Sequence, residues 1–274
     1  MVALDRDSAA AHQKGLVKML LATPHSLRAN IGPLIAIVKV AMISFACIYD
    51  VLPLWDCLSP ESVRPNTILR NIVSRATFGK GDIFFEKETI EAILDVYETI
   101  SRLDHLVHAE HYSIYAEVER ALPFARMSNG AETVEGNQRL SPLKRLNLCC
   151  RICCKVFWKI IRRPSLLHVT EDHDLQQLLK QLSQIEPLYW IRNAPEVFTW
   201  AAFTGAAAAK DQDARVNFIS MAGTILTAIE DEELTLIRQG WSFLRLLKSL
   251  GGDDNQLASF GDSGYGPTVN EKYA

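Results

Sequence analysis

The chain has 274 residues, of which 48% are hydrophobic and 22% charged, with a formal net charge of −3. That balance is the one of a globular protein long enough to bury a sizeable core, as one large domain or two small ones. It excludes a global electrostatic attraction to nucleic acid or to an anionic membrane, so any basic contact surface has to be local.

The first predicted helix covers residues 8–22, with Leu16, Met19 and Leu20 on one side, and Thr23 and Pro24 end it. After Gly32 and Pro33 comes a long apolar run over 34–54, which reads as a buried helix or a membrane span. Lys39 lies in the middle of it, where a charge costs about 2.5 to 3.5 kcal/mol on an insertion scale. Asp50 and Pro53 shorten the run further, so the buried helix is the preferred reading and no stable membrane insertion is expected.

Ser59, Pro60 and Pro65 mark a loop before a short helix over 66–78. Residues 86–106 carry Ile90, Ile93, Leu94, Tyr97, Ile100 and Leu103 at helical spacing, with a continuation through Tyr115 and Val118 until Pro123. The stretch up to residue 141 turns polar and predicts a flexible connection. Helices are expected again over 142–161 and 171–185.

Residues 187–229 predict two apolar helices joined by a polar corner at Lys210–Asp213, with Asp211 or Asp213 as cap of the second. Trp200, Phe203, Ala207 and Ala208 recur at helical spacing beside Gly205, Ala206 and Ala209, whose small size lets another helix come close. In the second helix Val216, Ile219, Gly223 and Leu226 form a stripe that Phe218, Ile225 and Ile229 extend. A last helix starts near Glu230 or Asp231 and runs through Leu247. No alternating strand pattern is present, so the fold predicted is all-α, about nine to eleven helices in antiparallel hairpins. The divisions expected are a helical part over 1–122, a flexible connection over 123–141, a second helical part over 142–250 and a disordered tail over 251–274.

Of the groups with chemical potential, His105, His108 and His111 are spaced three apart, near Asp104 and Glu110. Two such steps turn a helix by about 600°, leaving the outer pair roughly 120° apart. A zinc site on one straight helix is therefore strained, and exposed or hydrogen-bonded histidines are the simpler reading. Cys149, Cys150, Cys153 and Cys154 lie in one run among Lys144, Arg145, Arg151, Lys155, Lys159, Arg162 and Arg163. Small core residues behind a solvated basic face, a basic membrane helix with reversible acylation, a nuclear-import or nucleic-acid patch, and zinc are the readings open there. With no cleavable signal pattern at the N-terminus, free thiols in a reducing compartment are expected.

Glu230, Asp231, Glu232 and Glu233 suit the start of a helix, where carboxylates face the positive end of the dipole. The sequence shows no phosphate-binding glycine loop, nucleophile elbow or HExxH pair, and nothing selects a reaction, cofactor or metal.

Pro195, Trp200, Gly205 with the alanines through Ala208, Asp213, Arg215 and Phe218 resemble the C-terminal part of the fungal-specific transcription factor domain. This is the helical region that accompanies binuclear zinc-cluster modules in fungal regulators. His12, Gly15, Leu16 and Met19 look like the His-x-x-Gly-Leu helix of the same family, without the paired glycines that often follow it. The resemblance implies an all-α regulatory domain, a nuclear location and a role in transcription. The zinc-cluster module itself is missing, since Cys47 is the first cysteine and stands in no such arrangement. Direct sequence-specific DNA binding is accordingly not expected of the chain, whether it is a shortened product, a diverged regulator or a fragment. The function expected is protein association or small-molecule sensing in the nucleus or, failing that, the cytoplasm, with no catalytic residues. A diverged helical enzyme or small-molecule binder and a peripheral membrane protein are the alternatives.

Overall fold

The computed structural model describes residues 64–78, 85–107, 140–162, 171–226 and 233–250, with isolated helical positions between 8 and 22 and at 41. Among the described residues there are eight helices and no strand: α1 (Thr67–Phe78), α2 (Lys87–Val107), α3 (Pro142–Arg162), α4 (His173–Gln184), α5 (Pro187–Asn193), α6 (Pro195–Ala208), α7 (Gln212–Leu226) and α8 (Glu233–Leu250). The all-α expectation holds for this part. The apolar run over 34–54 apart from position 41, nearly all of the connection over 123–141 and the tail over 251–274 lie outside the described residues.

Helix ends follow from identifiable caps. The Asp172 carboxylate accepts a 2.9 Å hydrogen bond from Leu175 N, so α4 begins at His173 and not at Glu171. The Glu86 carbonyl accepts from Thr89 N and Ile90 N at the start of α2. The Glu86 N–H donates to Asn147 Oδ1 of α3 at 2.8 Å, so one helix supplies the cap of another. Along α2 the buried stripe is Ile93, Val96, Ile100 and Leu103, while Ile90, Leu94 and Tyr97 flank it half-buried.

Where two helices were predicted over 187–229, three occur. Pro195 lacks an amide proton and disfavours helical backbone at the residue before it, so α5 stops and α6 starts there. Ala194 takes φ −146° and ψ 50° at the break, and its N–H donates to Trp190 O at 3.0 Å. Trp190 and Phe198 hold the corner as an edge-to-face pair with centroids 5.1 Å apart.

Helix α6 is the centre of the arrangement. Every one of its residues is buried, and it packs against α1, α3, α4, α5, α7 and α8. A helix apolar around its whole circumference belongs in the interior. Its two threonines fit there because they bond back to their own helix: Thr199 Oγ1 donates to Pro195 O and Thr204 Oγ1 to Trp200 O, both at 2.8 Å.

Two glycines set how closely the neighbours approach. A Cβ on Gly205 of α6 would lie 2.5 Å from Cζ and 2.6 Å from Cδ1 of Phe218 in α7. A Cβ on Gly240 of α8 would lie 2.8 Å from Cδ2 of Phe203 and 3.1 Å from Cγ2 of Thr199 in α6. Both rings fill the space that a side chain would need. One contiguous hydrophobic cluster runs from Ile68 of α1 to Leu247 of α8, joining residues from before and after the polar stretch that ends at 141.

Gly205→Ala is expected to lower stability by about 1 to 3 kcal/mol, and Gly205→Leu by at least as much, because Phe218 is fully buried and has nowhere to go. Denaturant or thermal unfolding tests this, and an unchanged melting temperature in Gly205→Leu would refute the close approach.

Candidate functional site

Pro195, Trp200, Gly205, Asp213, Arg215 and Phe218 are distributed along α6 and the first half of α7. Pro195 opens α6, and Trp200 is fully buried at its middle. Gly205 admits the Phe218 ring, and Asp213 lies in the first turn of α7. Arg215, itself buried, donates from Nη2 to Ala209 O at 3.1 Å, giving a cation to the carbonyl end of α6. The Asp211 carbonyl accepts from Arg215 N at 3.0 Å, which makes Asp211 the residue that starts α7.

The buried side of α7 consists of Ala214, Arg215, Phe218, Ile219, Ala222, Ile225 and Leu226, with Val216 and Gly223 only half-buried. Ile219 and Leu226 thus lie on the buried side as predicted, whereas Val216 and Gly223 stand one position from the buried Arg215 and Ala222. An arginine reads as a surface residue unless its acceptor is known, and the acceptor here is a carbonyl of the preceding helix.

The four cysteines of α3 are all buried free thiols. Burial pushes the Cys149 thiol up to about 12. It also raises Cys154, with the Asp95 carboxylate adding to the effect. Cys150 and Cys153 are raised by burial first and by the neighbouring thiols second, while the Thr204 side chain hydrogen-bonds Cys153 and opposes the shift. Protonated at neutral pH and shut off from solvent, these thiols serve as small core side chains between α3 and its neighbours. They are poor nucleophiles and poor metal ligands in that state.

Three basic side chains of α3, Arg145, Arg151 and Lys159, face acids or amides from other elements, although no acid interrupts them in the sequence. Lys159 Nζ lies 2.7 Å from Asp172 Oδ2 and 2.7 Å from Asp174 Oδ2 at the start of α4. Burial opposes its charge, but the two carboxylate hydrogen bonds outweigh burial and raise its pKa. Arg151 lies 3.7 Å from Glu86. Arg145 donates to Gln181 and Gln184 of α4. Lys144 and Lys155 remain exposed.

His108 and His111 lie outside the described residues, as do the side chains of Asp104 and His105. Glu233 is the first residue of α8, in keeping with a carboxylate-rich helix start. Among the described residues no three His, Cys, Asp or Glu side chains are placed to hold a metal ion, and no helix is long and apolar enough to cross a membrane.

Sequence reasoning missed the ion pair between Arg75 of α1 and Glu196 of α6. Arg75 Nη1 lies 2.7 Å from Oε1 and 2.6 Å from Oε2, with the carboxylate side chain 10% exposed against 43% for the arginine. Nothing local marks the partner of either residue, since 121 positions separate them. The Gly240 contact had a weak signal, an isolated glycine within a helical pattern.

The chain matches no family model, and neither the curated proteins nor the solved structures provide a match.

Arg75→Met, which leaves the Glu196 carboxylate buried without its cation, is expected to cost about 1 to 3 kcal/mol. Adding Glu196→Gln should restore part of the loss in equilibrium unfolding. The four cysteines of α3 should resist alkylation in the native protein and react on denaturation. The raised Cys149 thiol works in one direction on stability: its contribution is intact below the ordinary thiol value of 9.0 and falls as pH rises toward about 12. The raised Lys159 adds to the same alkaline loss. Unfolding free energy measured across pH 8 to 11 should therefore decline above about pH 9, where protons begin to leave the unfolded thiols.

Proposed function

We propose that the chain is a helical regulatory domain of the kind that accompanies zinc-cluster modules in fungal transcription factors, acting in the nucleus through a protein partner or a small-molecule effector. It carries no DNA-reading module of its own in this reading, and catalysis has no part in it. The supporting observation is that Pro195, Trp200, Gly205, Arg215 and Phe218, five of the residues that carry the resemblance, pack together in and against the buried α6.

The architecture we assign to the whole chain is nine to eleven helices in antiparallel hairpins. The three residues between α6 and α7, which pack closely on each other, supply the pattern for such a hairpin. The ends of both helices are tied at that corner by Arg215 and Ala209.

Tethering tests the function. The full chain fused to an unrelated DNA-binding module is expected to change transcription of a reporter bearing that module's site, whereas the unfused chain should leave the same reporter and a panel of duplex DNA probes unaffected. A fused chain that is expressed and folded but leaves the reporter unchanged would count against a transcriptional role. Exclusion of a tagged full chain from the nucleus would do the same.

A further inference from the structure

The chain contains three Ser-Pro or Thr-Pro pairs, Thr23-Pro24, Ser59-Pro60 and Ser141-Pro142, and only the last has a basic residue, Lys144, at the third position downstream. Ser141, Pro142 and Lys144 are all exposed. The exposed Ser141 hydroxyl oxygen accepts a long hydrogen bond of 3.4 Å from Lys144 N. Its carbonyl accepts from Arg145 N at 3.0 Å, so Ser141 stands at the beginning of α3. No acidic residue occupies the first turn of that helix.

Arg145 is the second part of the device. Its Nη1 donates to Gln181 Oε1 at 3.3 Å and to Gln184 Oε1, a polar tie between the start of α3 and the end of α4. Arg145 is also four residues beyond Ser141, the spacing at which side chains on a helix meet. The guanidinium is held by a pair of neutral amides in α4, and a charge on Ser141 would compete with them from the residue just before the helix.

We infer that Ser141 is a phosphorylation site for a proline-directed protein kinase and that its phosphate draws Arg145 away from Gln181 and Gln184. Pro142 supplies the fixed φ and missing amide proton that such a kinase selects, and Lys144 supplies a point charge downstream. In the transfer a bond forms between Ser141 Oγ and the γ-phosphorus of ATP. The bond from that phosphorus to the β,γ-bridging oxygen breaks, the hydroxyl proton passes to the kinase's catalytic carboxylate, and ADP leaves. The product carries about −1.5 to −2 charge at the positive end of the helix dipole, beside the Lys144 amide that Ser141 already holds by a long bond. A charge-assisted phosphate–guanidinium pair outcompetes the neutral amides for Arg145. The first turn of α3 tightens and its tie to α4 is released. This inference stands apart from the transcriptional reading, because it uses neither the α6–α7 corner nor the location of the chain.

The test uses the purified full chain, a proline-directed kinase and Mg-ATP. Mass spectrometry is expected to place phosphate on Ser141, with loss of that phosphate in Ser141→Ala and a slower transfer in Lys144→Ala. Hydrogen exchange of the phosphorylated protein should slow at amides 143–146 and quicken at the end of α4. The change in α4 should be absent from Arg145→Ala, whose phosphorylation is otherwise intact. Modification of Ser141 only after denaturation, or of other residues alone, would overturn the site. Full phosphorylation with unaltered exchange in α4 would overturn the exchange of partners by Arg145.

Discussion

The absence of a side chain at Gly205 is the constraint on which the helical assembly depends. Phe218 of α7 occupies the volume that even a methyl group would claim, and this brings two helix backbones together at the centre of the core. Gly240 does the same for Phe203 on the α8 side, so α6 is approached closely by two neighbours through two glycines. A large ring against a bare backbone gains dispersion contacts over its whole face, and those contacts fade steeply with a small gap. Close-packed interiors tolerate little change at such points.

A helix buried on all sides imposes conditions on everything that touches it. Its hydroxyl groups bond to their own backbone, and its last carbonyl region receives the Arg215 guanidinium. Its first turn carries Glu196, whose carboxylate is held by Arg75 from α1. Cys153 of α3 follows the same logic: it meets Thr204 of α6, where a protonated thiol behaves as a small apolar group. The polar groups of the periphery then join helices in pairs, as Lys159 does for α3 and α4 and Asn147 for α3 and α2.

This division between an apolar centre and polar ties bears on function. Pro195, Trp200, Gly205, Arg215 and Phe218 belong to that centre, so what they record is the packing of helices. Control is more easily exerted at the ties. Arg145 belongs to one of them, the tie between the start of α3 and the end of α4.

The positions of α1 to α4 and of α6 to α8 were legible in the sequence, because apolar spacing is a local property that a single helix carries, whereas the Asp172 cap that sets the start of α4 was not read from it. The small-residue run with Gly205 announced a close neighbour, and the four cysteines announced a special helix without saying which way they face. The sequence by itself thus determined that the described part of the chain is helical and where most of its helices begin and end. Only the tertiary structure decided that α6 is enclosed on every side, that Arg215 turns inward to Ala209, that the thiols lie in the core, and that Arg75 meets Glu196. The physical reason is range: periodicity distinguishes the two sides of one helix, whereas what lies opposite each side depends on residues as far away as the 121 positions between Arg75 and Glu196.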